Sequence, residues 1–116
     1  MVVEMMSQEQ VDLLFHALAD ATRRDIVVRT MTEDYSVSAL ARCYTMSFAA
    51  VQKHVAILEQ AELVTKRPRG REQLVRGNVD TIRTAYSLLE ELEELWRGRI
   101  DRMSEIINEP ESGEKR

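Results

Sequence analysis

Apolar positions recur three and four apart along most of the chain, the spacing of a single buried helical face. Val11, Leu14, Phe15, Leu18 and Ala19 follow Ser7, and Ser7 with Gln10 forms a capping-box pattern, so a first helix is predicted from about Gln8 to Ala19. Asp20 is placed to cap a second helix, with Thr22-Arg23-Arg24 in its first turns and Ile26, Val27 and Met31 on its buried side, ending in Thr32-Glu33-Asp34. Ser36 can cap a third, containing Val37, Leu40, Ala41 and Tyr44. After a break at Thr45-Met46, Ser47 can cap a fourth, from Phe48 to about Ala61. On it Phe48, Val51, Val55 and Leu58 share one face, with Ala49, Gln52 and Lys53 opposite.

The period then shortens. Leu63–Arg67 and Arg71–Arg76 read as two strands joined at Pro68-Arg69-Gly70, where proline fixes φ and glycine tolerates a positive one. Asn78 or Asp80 can cap a long last helix of about 28 residues, whose Ile82, Ala85, Leu89, Leu92, Trp96, Met103 and Ile107 repeat at helical spacing with an interruption around Arg99 and Ile100. A helix of that length outruns a domain this small, so its apolar stripe requires a partner surface. The predicted class is mainly α with one β-hairpin: residues 7–108 as one domain, residues 1–6 a flexible start and 109–116 a disordered tail.

Composition narrows the function. Six glycines and prolines in 116 residues are too few for the turns of a sandwich or barrel. The single cysteine, Cys43, excludes an internal disulfide and a thiolate zinc cage, and it follows an apolar stretch as a small buried hydrophobe would. No apolar run reaches the ~18 residues of a membrane span, and Met1–Met6 is too short and too acidic for a secretory signal. The cytoplasm is the expected compartment. No Gly-rich phosphate loop, nucleophile with a relay, or metal-ligand cluster is present, so no catalytic role, cofactor or metal is expected. The acidic run Glu90, Glu91, Glu93 and Glu94 is a solvated helix face.

The net charge of −4 argues at first against a polyanionic partner, but its distribution reverses that. Residues 42–77 hold seven basic side chains (Arg42, Lys53, Lys66, Arg67, Arg69, Arg71, Arg76) against three acidic ones, whereas the segments on either side are each net −4. Helices three and four read as a helix-turn-helix, and the basic hairpin that follows as a wing. Backbone charge supplies much of the affinity for DNA, and a helix in the major groove can tell bases apart. Ser47, Ala49, Ala50, Gln52, Lys53 and His54 are the candidate contacts of the recognition helix. Gln52 can pair with adenine, the alanines allow close approach to a thymine methyl, and His54 either meets a phosphate or braces its helix. Lys66, Arg67, Arg69 and Arg71 are the candidate phosphate contacts of the wing. Arg23 and Arg24 oppose the dipole of their own helix, which points to a further partner, an acidic side chain or a phosphate. His16, beside Phe15, is expected to pack at the edge of the core or at an interface.

Several stretches together resemble the ArsR-type winged-helix repressors of bacteria and archaea. These are Leu18-Ala19-Asp20-Ala21-Thr22-Arg23-Arg24, Ser36-Val37-Ser38-Ala39-Leu40-Ala41, Met46 through Val55, Leu58 through Val64, and Gly70-Arg71-Glu72. The resemblance spans about residues 10–105 and implies a homodimer whose first and last helices form the interface. In this chain that assigns Val11, Leu14, Phe15, Leu89, Leu92, Trp96 and Met103. Founding members of the family sense metals through a cysteine pair on the third helix or through histidine and acidic ligands on the last. Here the third helix offers only Cys43 and the last has no histidine, so the chain resembles a subgroup without metal sensing. The expected function is sequence-specific binding of double-stranded DNA at a palindromic operator as a homodimeric repressor, with no effector named by the residues. The alternative is a winged-helix protein-interaction module without DNA binding, which the acidic flanks favour.

Overall fold

A computed structural model describes residues 6–112, with side chains through Ile107. The order is α1 (Gln8–Leu18), α2 (Ala21–Thr32), β1 (Tyr35–Ser36), α3 (Val37–Ala41), α4 (Phe48–Gln60), β2 (Val64–Arg69), β3 (Glu72–Gly77) and α5 (Val79–Ser112). Each N-terminus is fixed by a side chain that accepts an otherwise unpaired backbone N–H. Ser7 accepts from Gln10 in a complete capping box, Asp20 from Arg23, Ser36 from Ala39 and Ser47 from Ala50. Asn78 Oδ1 accepts from the Asp80 backbone at the start of α5, which makes Asn78 the cap of the two expected candidates.

The three strands form an antiparallel sheet in the order β1-β3-β2. β1 is a two-residue strand, with Tyr35 opposite Val75 and Ser36 opposite Leu74. The hairpin turn is tighter than expected. Arg69 pairs with Glu72, so the loop is Gly70-Arg71 alone and Pro68 lies within β2, opposite Gln73. β2 is an outer strand, where the missing proline donor is tolerated. Gly70 takes φ +62° and Arg71 does not, the pattern of a type II′ turn.

The core is drawn from every helix and from both hairpin strands: Leu14 and Ala17, Ile26 and Val27, Val37 and Leu40, Val51, Val55 and Leu58, then Val64, Val75 and Ala85. Met6, expected in the loose start, packs against this core. Residues 1–5 of that start and 113–116 of the expected tail lie outside the described residues. Met31, expected on the buried side of α2, is 36% exposed. A Cβ on Gly77 would come within 2.8 Å of its sulfur, so glycine permits the close approach of β3 to α2.

α5 is 34 residues long, about 50 Å at 1.5 Å per residue, and runs on through Glu109–Ser112, where a tail was expected. Its stripe is also unbroken, because Ile100 lies four residues after Trp96 and three before Met103. Among the described side chains of α5, only those in its first ten residues are buried: Thr81, Ala85 and Leu88. The radius of gyration is 20.6 Å, against roughly 13 Å for a compact domain of this length. Among the described residues, no helix is long and apolar enough to cross a membrane.

Candidate nucleic-acid interface

α3 and α4 are joined by residues 42–47 and form the helix-turn-helix. Tyr44, expected inside the third helix, lies beyond its end and donates its hydroxyl to the Asp25 carboxylate of α2, which also accepts from Arg29 at 2.7 Å. These bonds hold the Asp25 carboxyl below the usual range, Tyr44 first and Arg29 second. Burial and the same carboxylate push the Tyr44 phenol up. The turn is thereby tied to α2. Cys43, expected to be buried, is exposed beside this lock, with its thiol donating to the Ala39 carbonyl at 3.4 Å; the apolar run before it belongs to α3, which ends at Ala41.

α4 divides into two sides. Val51, Val55 and Leu58 are buried, whereas Ala49, Gln52 and Lys53 are exposed within roughly 100° of arc. Ala50 is half-buried and Ser47 exposed, with its hydroxyl engaged in the cap. Phe48, expected with the buried face, is 46% exposed. Its azimuth follows Val51 and Val55, but it is the first residue of the helix and projects past the end of the core.

His54 is held from behind. Its Nδ1 lies 3.2 Å from the Arg23 guanidinium, which can only donate, so Nδ1 accepts and the ring proton sits on Nε2. Asp20 stands 4.0 Å from the same nitrogen. The Asp20 carboxyl is held below its usual value, chiefly by the backbone N–H of Arg23. Arg23 is itself buried and donates to the carbonyls of Ala17 (2.8 Å) and His16 (3.1 Å), while Arg24 donates to that of Leu18 (2.8 Å). The sought partner of the two arginines is therefore the C-terminal end of α1, where carbonyls lack helical donors and the dipole is negative. The His16 side chain is exposed.

The wing cations fall into two groups. Lys66 pairs with Glu59 of α4 at 3.4 Å, and Arg67 lies 3.7 Å from Asp34. Arg76 grips Asp34 with two bonds, at 2.8 and 3.0 Å; they hold the Asp34 carboxyl low and the Arg76 guanidinium high. Arg69 and Arg71, flanking Gly70, are exposed and make no ion pair among the described residues, and the same holds for Lys53 and for Arg42 at the α3 C-cap. Lys66, Arg67 and Arg76 thus brace the hairpin, leaving Arg69 and Arg71 unpaired at its tip.

Of the residues expected at a dimer interface, Leu14 is sealed at 0% exposure inside its own protomer and offers no surface to a partner. It lies on the α1 face that packs inward, three residues before Ala17. Val11 is half-buried, and Phe15, Leu89, Leu92, Trp96 and Met103 are exposed. Tyr86 and Ile100 extend the exposed apolar surface of α5 beyond what spacing alone identified.

No family model matches the chain. It is 33% identical over 97 residues to the HTH-type transcriptional regulator Rv2034 of Mycobacterium tuberculosis, which spans 84% of this chain and 88% of that protein. Among solved structures, it is similar to an ArsR-like transcriptional regulator from Rhodococcus sp. RHA1, with a TM-score of 0.80, 28% identity, and coverage of 87% of this chain and 93% of that one. It is also similar to the ArsR family transcriptional regulator RHA00566, with a TM-score of 0.73, 29% identity, and coverage of 79% and 95%. The capped helix-turn-helix, the basic hairpin and these relatives agree: the chain belongs to the ArsR family of winged helix-turn-helix transcriptional regulators.

Proposed function

We propose that the protein is a homodimeric cytoplasmic repressor that binds a palindromic operator with α4 in the major groove and the hairpin on the flanking backbone. The observation that carries this is a set of exposed groups suited to DNA that make no ion pair among the described residues. Gln52 and Lys53 stand on the open arc of α4, and Arg69 and Arg71 stand exposed beside Gly70. A glutamine amide can bond adenine N6 and N7 together, and the arginines suit phosphate. His54 has Nε2–H available for a phosphate while Arg23 occupies its other nitrogen. The exposed stripe of α5 supports the dimer. Two copies related by a two-fold would set their α4 helices in successive major grooves, roughly 34 Å apart, and the bound pair would occlude polymerase.

The test is a mobility-shift titration against the region upstream of the gene across a range of salt concentrations. Binding is expected to fall linearly in log K against log salt. Arg69→Ala with Arg71→Ala should weaken all duplexes alike and lower the slope by about two, whereas Gln52→Ala should relax preference at one position per half-site. Dimers that bind no duplex at any salt concentration would instead fit a protein-interaction module.

A further inference from the structure

We infer that Phe48 reads the methyl group of a thymine in the operator, next to the base met by Gln52, and so helps set the sequence preference of α4. The inference rests on the DNA-binding reading above and goes beyond it by giving a base-reading role to a residue whose spacing marks it as core. Among the described residues, Phe48 is the one exposed large apolar side chain on α3, α4 or the hairpin. It is not among the residues packed on the core. Gln52 follows it by four residues, which places the two about 40° apart around the axis and roughly 6 Å along it. Ala49, beside it, has only a methyl group and leaves the approach open.

The chemistry selects the ligand. Base pairs present donors and acceptors in the major groove, none of which a phenyl ring can satisfy, and one apolar group, the thymine C5-methyl. A ring held there gains by excluding water from that methyl and loses where it covers a polar edge. Gln52 prefers adenine, and every adenine brings a thymine on the opposite strand, so one short A·T step can supply both contacts. Lys53, on the same turns of α4 and without an ion pair among the described residues, suits a polyanion rather than an apolar protein partner.

The experiment uses a duplex selected by the wild-type dimer from a random pool, with each thymine replaced in turn by deoxyuridine, which removes the methyl and leaves every hydrogen-bonding group. Wild type is expected to lose about fourfold in affinity at one thymine per half-site. Phe48→Ala should bind the parent duplex about that much more weakly and treat thymine and uracil there alike. Phe48→Leu keeps an apolar side chain and should retain part of the discrimination, which carries the test if the alanine variant folds poorly. Equal uracil sensitivity in wild type and Phe48→Ala, or a wild type indifferent at every thymine, overturns the role of Phe48 while salt-dependent binding leaves the DNA-binding reading standing. Failure of the wild type to select any duplex overturns both.

Discussion

The residues that fix the recognition helix are mostly ones that never reach its open face. Arg23 is buried, satisfies two carbonyls at the end of α1 and supports His54 of α4. Removing it deprives the Ala17 carbonyl of this donor, leaves the His16 carbonyl with the Ala19 N–H, and opens a void between α1 and α4. Arg23→Ala should therefore destabilise the fold by about 2–4 kcal/mol, read as a lower denaturant midpoint at unchanged slope. A duplex-contacting arginine would instead leave stability alone and reduce affinity. Asp25 is the acid-sensitive counterpart. Tyr44 and Arg29 hold its folded-state carboxyl below the unfolded value of about 3.9. The stabilisation is thus present in full above that value and drains away as pH falls through the lower, folded one. Asp25→Asn should be less stable than wild type at neutral pH, and its denaturant midpoint should fall less steeply below about pH 4.

Elements were legible in the sequence where a local rule sets them. Ser7, Asp20, Ser36 and Ser47 were all readable as caps because a cap bonds a backbone N–H only two or three residues on. β1 was not, because two residues carry no period and its pairing with β3 joins positions some forty residues apart. The bracing of the wing was hidden for the same reason: Asp34, which grips Arg76, comes from the connection between α2 and β1, some forty residues away. Periodicity also misplaced Phe48, since a helical face continues past the edge of the core that it was inferred to face. The end of α4 illustrates a rule obeyed with an unfavourable residue. Glu62 N–H bonds the Glu59 carbonyl and Leu63 N–H that of Leu58, both at 2.9 Å, the Schellman pattern. Leu63 and Leu58 are both buried, completing its apolar contact. The left-handed position, φ 63°, is held by Glu62 rather than glycine. Glu62→Gly removes the Cβ strain, keeps the carbonyl that accepts from Asn78, and partly offsets its gain by a freer unfolded chain. A net stabilisation of about 0.5–1 kcal/mol is expected, a rise of a few degrees in Tm.

At the scale of the whole molecule, the chain leaves a long apolar helix face uncovered. Its principal extents are 74 × 30 × 22 Å, because α5 leaves the core after Leu88 and carries its apolar residues into solvent. Leu89, Leu92, Trp96, Ile100, Met103 and Ile107, all exposed, lie within roughly 80° of arc at 100° per residue, a continuous seam rather than scattered side chains. Trp96 alone is 58% exposed, and a seam of this length exceeds what a soluble monomer ordinarily leaves uncovered. A second copy would cover it under two-fold symmetry, each stripe meeting its own equivalent. Leu92→Glu or Trp96→Glu would place an unpaired carboxylate in that contact, at a cost well above that of any exposed substitution. Light scattering of the wild type should give twice the 13.4 kDa of one chain, and either variant should give the single-chain mass with the helical content of the domain retained. Both side chains are more than half exposed in the protomer, so loss of the dimer cannot be ascribed to a damaged core. Variants that keep the doubled mass would place the pairing surface elsewhere, and the spacing of the two α4 helices would then have to be set by another contact.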